Sequence, residues 1–254
     1  MNATTEQAQV LLQADKLTRR FGGLVANQDI SVTLERGMIH VLLGPNGAGK
    51  STCINMLSGD LPPSEGTIRF LGQDITALTA AQRSQVGIGR SYQRTNIFPQ
   101  FSVLENVRLA AQSRRQQPWR IFSQAMKQAW ALEKARACIE EAGLGKRVDW
   151  VSGVLSHGEQ RQLEIAMCLA IQPEVLLLDE PLAGMGAEET DRMLKLLDNL
   201  KAGHAILLVE HDMDAVFRIA DRITVMVNGS VIASDTPDQI RVNPDVQTAY
   251  LGGH

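Results

Sequence analysis

The sequence has little cysteine, few aromatic residues and no long apolar run. Its 254 residues include three cysteines, Cys53, Cys138 and Cys168, whose spacing fits no Cys-x-x-Cys metal or redox motif. Apolar stretches such as 175–178 and 205–209 are far shorter than the roughly 20 residues that a membrane helix needs. The first residues also lack the basic and apolar regions of a secretory signal. These absences exclude a disulfide scaffold and a channel, and we expect a reducing, cytoplasmic location.

Neither sign of charge dominates the chain. It carries 25 basic and 28 acidic residues, a formal net charge of −3. Because nucleic-acid binding usually needs clustered positive charge, we expect no nucleic-acid partner. The hydrophobic share of 44% and the length fit one large, soluble α/β domain.

The pattern of apolar runs predicts an α/β fold. Four short runs are typical of buried strands: 38–43, 175–178, 205–209 and 223–227. A glycine-rich or acidic turn follows each run, and most lead into helical spacing, which predicts a mainly parallel core sheet. Three further strand-like stretches predict an antiparallel layer beside it: 11–34, 66–71 and 86–91.

Residues 101–150 have a different composition, rich in Ala, Gln and Glu and poor in β-branched patterns. They predict a helical subdomain inserted into the core. We expect a single domain over 1–254, with the α/β core in 1–95 and 158–254 and the helical subdomain in 96–157.

The sharpest motif is a glycine-rich loop directly after the strand 38–43. Residues 44–51 read Gly-Pro-Asn-Gly-Ala-Gly-Lys-Ser, which fits the phosphate-loop pattern G-x-x-x-x-G-K-[ST]. Its backbone N–H groups and the following helix dipole attract phosphate. We expect Lys50 to reach the β- and γ-phosphates and Ser51 to bind Mg²⁺. The predicted nucleotide contacts are Gly44, Pro45, Asn46, Gly47, Ala48, Gly49, Lys50, Ser51 and Thr52.

A second motif is the apolar strand 175–178, which ends in Asp179 and Glu180. Mg²⁺ prefers oxygen ligands and keeps several waters, so we expect Asp179 in its coordination shell. Glu180 follows at once and is placed to activate the attacking water.

A third motif, residues 155–160, has two interpretations. Ser156 and Glu159 have the spacing of a capping box, which is purely structural. A serine hydroxyl and the small Gly158 at a helix N-terminus also suit a second anion site. The residues alone leave both open.

The order of these motifs resembles that of the ATP-binding cassette (ABC) ATPases. The resemblance covers the chain from about residue 11 to 252, and includes residues 209–212, Val-Glu-His-Asp. It implies a P-loop NTPase fold with ATP and Mg²⁺ as cofactors. It also implies that Phe21 stacks on adenine, that Gln93 links Mg²⁺ to the helical subdomain, and that His211 contacts the γ-phosphate.

The same resemblance implies a head-to-tail dimer, in which Ser156 and Gly158 complete the partner chain's ATP site. Two departures stand out. The family's Leu-Ser-Gly-Gly-Gln signature carries His157 and Glu159 at its third and fifth places. Gly186 replaces an aspartate in the loop after the catalytic glutamate. We expect phosphate contact to survive and communication between the two sites to be altered.

Several segments resemble the ATPases of branched-chain and hydrophobic amino acid uptake systems. These segments are 19–24, 89–95, 163–166, 183–185 and 250–252. The resemblance implies a motor at the cytoplasmic membrane face with two integral-membrane permease subunits. It also implies a second ABC ATPase or a second copy, and an extracytoplasmic solute-binding protein. The signature and the 183–185 loop also resemble urea systems, so the solute stays open.

Three other functions share part of this pattern. A lipid or lipopolysaccharide exporter ATPase shares every catalytic motif, whereas a permease-free clamp on nucleic acid or ribosomes predicts basic surfaces or tandem cassettes. A small-molecule phosphotransferase would leave residues 156–160 and His211 without a purpose. We favour the importer. The basic stretch 112–120 is either a membrane or permease contact or, as we favour, a solvated loop.

Overall fold

The computed structural model describes residues 9–92, 96–113 and 124–251. The strands are β1 Val10–Phe21, β2 Leu24–Glu35, β3 Ile39–Leu43, β4 Glu65–Phe70, β5 Gln73–Asp74, β6 Ile88–Arg90, β7 Val175–Asp179, β8 Ala205–Glu210, β9 Arg222–Val227 and β10 Ser230–Asp235. The helices are α1 Lys50–Ser58, α2 Ala80–Val86, α3 Val103–Ser113, α4 Gln124–Glu141, α5 His157–Ala170, α6 Ala187–Lys201, α7 Met213–Ile219, α8 Pro237–Val242 and α9 Pro244–Leu251.

Within the described residues, the core sheet has the strand order β10-β9-β3-β8-β7-β6. The strands from β9 to β6 are parallel, and β10 pairs antiparallel with β9. Every residue of β3, β7 and β8 is buried. Strands covered on both faces need continuous apolar sequences, which explains why the runs 38–43, 175–178 and 205–209 predicted these three strands correctly. The fourth run, 223–227, matches β9.

A second sheet, with the order β2-β1-β4-β5, is antiparallel and lies beside the core. The prediction that residues 86–91 belong to this layer is wrong. Ile88–Arg90 instead pairs in parallel with β7, at the edge of the core sheet. Gly89 permits this placement, because a Cβ atom there would lie 3.2 Å from the Pro173 side chain.

The helices α3, α4 and α5 pack against one another. Their shared apolar core includes Val107, Ile139 and Leu163. Cys53 and Cys168 are buried in α1 and α5, and burial raises the pKa of both thiols to about 12, as expected for core side chains. In the part of the chain that the structure describes, no helix is long and apolar enough to cross a membrane.

Candidate nucleotide-binding site

The phosphate loop joins β3 to α1 in a backbone conformation that only glycine fits at two positions. Gly49 has a φ of +95° immediately before α1 begins at Lys50. A Cβ atom at Gly44 would lie only 2.4 Å from the backbone oxygen of Met226. Glycine therefore lets the loop curl tightly against the neighbouring strand and aims the helix N-terminus at the loop's interior.

Lys50 is folded back onto this loop. Its side chain is buried, and Nζ donates hydrogen bonds to the carbonyl oxygens of Gly44 at 2.5 Å and Pro45 at 3.0 Å. Burial lowers the pKa of the Lys50 ammonium, while the carboxylates of Glu180 and Asp179 oppose that shift.

A cavity of about 490 Å³ adjoins the loop. Glu180 lines the same cavity as the phosphate loop, which is the geometry expected of a hydrolytic site. The predicted site residues that line it are Asn46, Gly47, Ala48, Gly49, Lys50, Ser51, Thr52 and Glu180. Gly44 and Pro45 are reached from this cavity through their contacts with Lys50.

The predicted acidic pair sits where β7 ends. The Asp179 carboxylate is buried, with Oδ2 3.5 Å from Nη2 of Arg90. Burial raises the pKa of Asp179, and the Arg90 guanidinium opposes this. Glu180 adopts a φ of +48°, and its amide donates to the carbonyl of Val209 at 3.0 Å. A left-handed backbone is unusual for glutamate, and its persistence at a site of this kind is typical of a functional constraint.

His211 follows β8, the strand next to β7. Its Nδ1 lies 3.7 Å from Oε1 of Glu180, and the imidazole side chain is 53% exposed. The two side chains are therefore neighbours where the adjacent strands β7 and β8 end.

Glu210 is a site residue that the sequence reasoning missed. It is almost completely buried and accepts hydrogen bonds from the amides of Leu182 at 3.0 Å and His211 at 3.3 Å. Burial raises the pKa of Glu210, and these two hydrogen bonds oppose the shift. Glu210 ties together the loops after β7 and β8. Its position at the end of an apolar strand, like that of Asp179, was the available signal.

Arg90 was also missed. Its Nη1 lies 2.6 Å from Oδ2 of Asp60, and its guanidinium carbon lies 4.6 Å from the centre of the Tyr92 ring. With the Asp179 contact, Arg90 links the end of α1 to the predicted metal ligand. Gln93, the predicted link to Mg²⁺, lies outside the described residues.

Residues 155–160 form the capping box that the structural interpretation of this motif predicts. Ser156 is the N-cap of α5, and it exchanges hydrogen bonds with Glu159 in a complete capping box. The Ser156 hydroxyl also donates to Oε1 of Glu189 at 2.9 Å. A Cβ atom at Gly158 would lie 2.8 Å from the Glu189 carboxyl carbon. A carboxylate from α6 thus lies over the helix end that the alternative interpretation treats as a second anion site.

Ser156 and Gly158 border a cavity of about 340 Å³ that shares no lining residue with the phosphate-loop cavity. The predicted contacts to ATP therefore fall into two separate groups on one chain. The departure at His157 lies against the loop 183–186, because His157 Nε2 lies 3.1 Å from the carbonyl oxygen of Ala183. The substituted histidine thus contacts the loop that carries the substituted glycine.

Phe21 ends β1 at the two-residue turn, opposite Leu24 in the ladder. Phe21 is 46% exposed, and Leu24 lines the phosphate-loop cavity. The guanidinium carbon of Arg19 lies 4.7 Å from the centre of the Phe21 ring. Phe21 is therefore an exposed aromatic residue beside a residue that lines the cavity, and an aromatic face of this kind can stack on a nucleobase.

Comparison with known proteins agrees with the resemblance to ABC ATPases that the motifs indicate. Residues 27–183 match the ABC transporter family, and residues 230–254 match the family described as branched-chain amino acid ATP-binding cassette transporter. The chain is 40% identical to the high-affinity branched-chain amino acid transport ATP-binding protein LivG of Escherichia coli K12, covering 96% of this chain and 99% of that protein. It is 38% identical to BraF of Pseudomonas aeruginosa, which carries the same description, over 95% and 98% of the two chains.

The fold agrees with solved structures of such cassettes. A nucleotide-free ATP-binding cassette from an ABC transporter superimposes with a TM-score of 0.84 at 29% identity, covering 95% of this chain and 99% of the other. A cassette in its ADP conformation gives 0.84 at 28% identity over 96% and 99%. With the phosphate loop, the acidic pair and the capped signature helix in place, the chain belongs to the ABC transporter family, as one of its ATPases.

Proposed function

We propose that this chain is the ATP-hydrolysing motor subunit of an importer for branched-chain or other hydrophobic amino acids. Similarity to LivG and BraF along nearly the whole length supports this solute class over lipid export or a permease-free clamp. The chain would act at the cytoplasmic face of the membrane on two permease subunits, with an extracytoplasmic solute-binding protein delivering the solute. We propose that it works as one domain, whose segment 96–157 is a helical subdomain that leads into the signature.

The observation that carries the mechanism is the separation of the two groups of residues that are predicted to bind phosphate. Lys50 and Ser51 line one cavity, whereas Ser156 and Gly158 line another. One nucleotide can use both only if a second chain, either another copy or a related ABC ATPase, supplies the signature. We therefore infer a head-to-tail dimer with ATP between the chains.

The residues present fit a magnesium ion. The Ser51 hydroxyl and the Asp179 carboxylate offer the oxygen donors that Mg²⁺ prefers, and Asp179 lies near the cationic groups of Arg90 and Lys50 that balance its charge. When bound, Mg²⁺ would neutralise charge on the phosphate oxygens.

Three side chains of this chain would carry out the remaining steps. Lys50 would bind the β- and γ-phosphates, and Glu180 would orient and deprotonate the attacking water. His211, 3.7 Å from Glu180, would hydrogen-bond the γ-phosphate and hold Glu180 toward the water. Because ATP favours the closed dimer over the open one, nucleotide state can drive a two-state motion in the permeases.

The test is an affinity pull-down of tagged Glu180→Gln from detergent-solubilised native membranes with ATP, followed by mass spectrometry. We expect two multi-span permeases and an ABC ATPase, and genes for a solute-binding protein beside theirs. Tagged Lys50→Ala is the matched control and should lose the ATP-dependent partner. Recovery of soluble or nucleic-acid-bound partners alone would refute the transport role.

A further inference from the structure

We infer that Arg19 is a positioning residue for the nucleobase: it supports the Phe21 ring from behind, so that the ring's open face can stack on the base of ATP. This inference rests on the proposed role of Phe21. The argument comes from the contact between the two side chains and from the shape of the strand that carries them.

The strand β1 is irregular at this point. Its pairing with β2 shifts register between Leu17 and Arg19 and again between Arg19 and Arg20. Such irregularities redirect side chains. Here the Arg19 guanidinium carbon lies 4.7 Å from the Phe21 ring centre, within the range of a cation–π contact.

A hydrogen bond also holds the Arg19 guanidinium in place. Nη1 donates a hydrogen bond to the carbonyl oxygen of Pro62 at 2.8 Å, and Nε is buried without a hydrogen-bond partner in the described residues. A buried donor without a partner is unfavourable. Its presence indicates that the position of this guanidinium is set by the ring and by Pro62, not by a full set of polar contacts.

Phe21 therefore has one covered face and one open face. The residue remains 46% exposed although Arg19 lies against its ring, and its ladder partner Leu24 lines the phosphate-loop cavity. A cation behind an aromatic ring draws electron density away from the open face, which strengthens stacking with an electron-rich purine. The fixed ring also loses less rotamer freedom when the base binds.

Arg20 offers a matched control one residue away. It is exposed, and its Nη2 pairs with Oε1 of Glu65 at 3.2 Å. Replacing Arg19 or Arg20 by methionine removes the same charge and keeps a long side chain, but only the first change touches the ring.

The experiment is calorimetric titration of wild type, Arg19→Met, Arg19→Lys, Arg20→Met and Phe21→Leu with MgATP and with magnesium tripolyphosphate, which has the phosphates but no base. We expect Arg19→Met to weaken ATP binding by about fourfold, the size of an exposed cation–π contact, and to leave tripolyphosphate binding unchanged. Arg19→Lys should recover part of the ATP affinity, and Arg20→Met should bind both ligands as wild type does.

Equal losses for ATP and tripolyphosphate would overturn the inference, because Arg19 would then bind phosphate. Unchanged ATP affinity in Arg19→Met would overturn it as well. If Arg19→Met does not fold, Arg19→Gln gives the same comparison. Should Phe21→Leu bind ATP as wild type does, the proposed base site itself is wrong, an outcome distinct from failure of Arg19 alone.

Discussion

Replacing Glu189 by glutamine should strengthen ATP-driven closure of the dimer. In the single chain the Glu189 carboxylate accepts a hydrogen bond from Ser156 and lies over Gly158, where the proposed dimer places the partner's γ-phosphate. Two anions cannot share this helix end, so the carboxylate must move away when the dimer closes. Glutamine keeps the shape of the side chain and removes its charge.

The size of the effect follows from the contacts that closure must break. A hydrogen bond to a charged group contributes about 1.5–3 kcal/mol, and an anion at a helix N-terminus about 0.3–1 kcal/mol. Ser156 is exposed and Glu189 only half-buried, so solvent screening reduces the difference between glutamate and glutamine to about 1 kcal/mol per site. A dimer has two sites, which gives about 2 kcal/mol, or a dimerisation constant about 30-fold larger.

The assay is sedimentation equilibrium with saturating ATP in the Glu180→Gln background. Glu188 is exposed and precedes Glu189 in the first turn of α6, so Glu188→Gln is a control with the same change of net charge. The reasoning is refuted if the two variants dimerise equally well, or if Glu189→Gln dimerises more weakly than its background.

Three further changes test the site and the fold. Glu180→Gln should bind MgATP with unchanged affinity and lose turnover, because only the group that activates water is altered; hydrolysis at the wild-type rate would contradict its role as base. Ser156→Ala should remove the N-cap, at a cost of about 1 kcal/mol in the free energy of unfolding, and should lower ATPase activity while the isolated chain still binds ATP; loss of binding would contradict the shared site. Burial lowers the pKa of His40 from 6.5 to about 4, so the unfolded chain binds the additional proton first and stability falls as the pH drops from about 6.5 to 4. Across that window His40 lowers the free energy of unfolding by up to about 3 kcal/mol, and His40→Gln should lack this decrease when its acid unfolding is measured. If the free energy of unfolding falls equally steeply with pH in both proteins, His40 does not titrate as inferred.

The sequence predicted best those features whose cause is local. Strands β3, β7 and β8 are buried on both faces, so their apolar runs are continuous and easy to recognise. The phosphate loop contains two glycines, Gly44 and Gly49, whose neighbours leave no room for a side chain. The capping box of Ser156 and Glu159 needs only residues three positions apart.

Contacts between distant parts of the chain were not predictable in this way. The strand within residues 86–91 is only three residues long, which is too short to show a hydrophobic periodicity. The sequence therefore predicted the wrong sheet for it. Arg90 meets Asp179, and Glu189 meets Ser156, only because the sheet and the helices bring those segments together. Glu210 differs, since an acidic residue at the end of an apolar strand could have been identified from the sequence.

The arrangement of the two groups also explains how hydrolysis can reopen the proposed dimer. Within one chain, the phosphate loop and the signature helix end line different cavities, so a single chain would hold ATP by the loop alone. The signature of the second chain would reach only the terminal phosphate, and that contact vanishes when the γ-phosphate leaves. The Glu189 carboxylate then has an empty helix end to return to. Loss of the γ-phosphate would therefore weaken the closed dimer in two ways. It would remove the anion that bridges the two chains, and it would let the Glu189 carboxylate return to the signature helix end of its own chain.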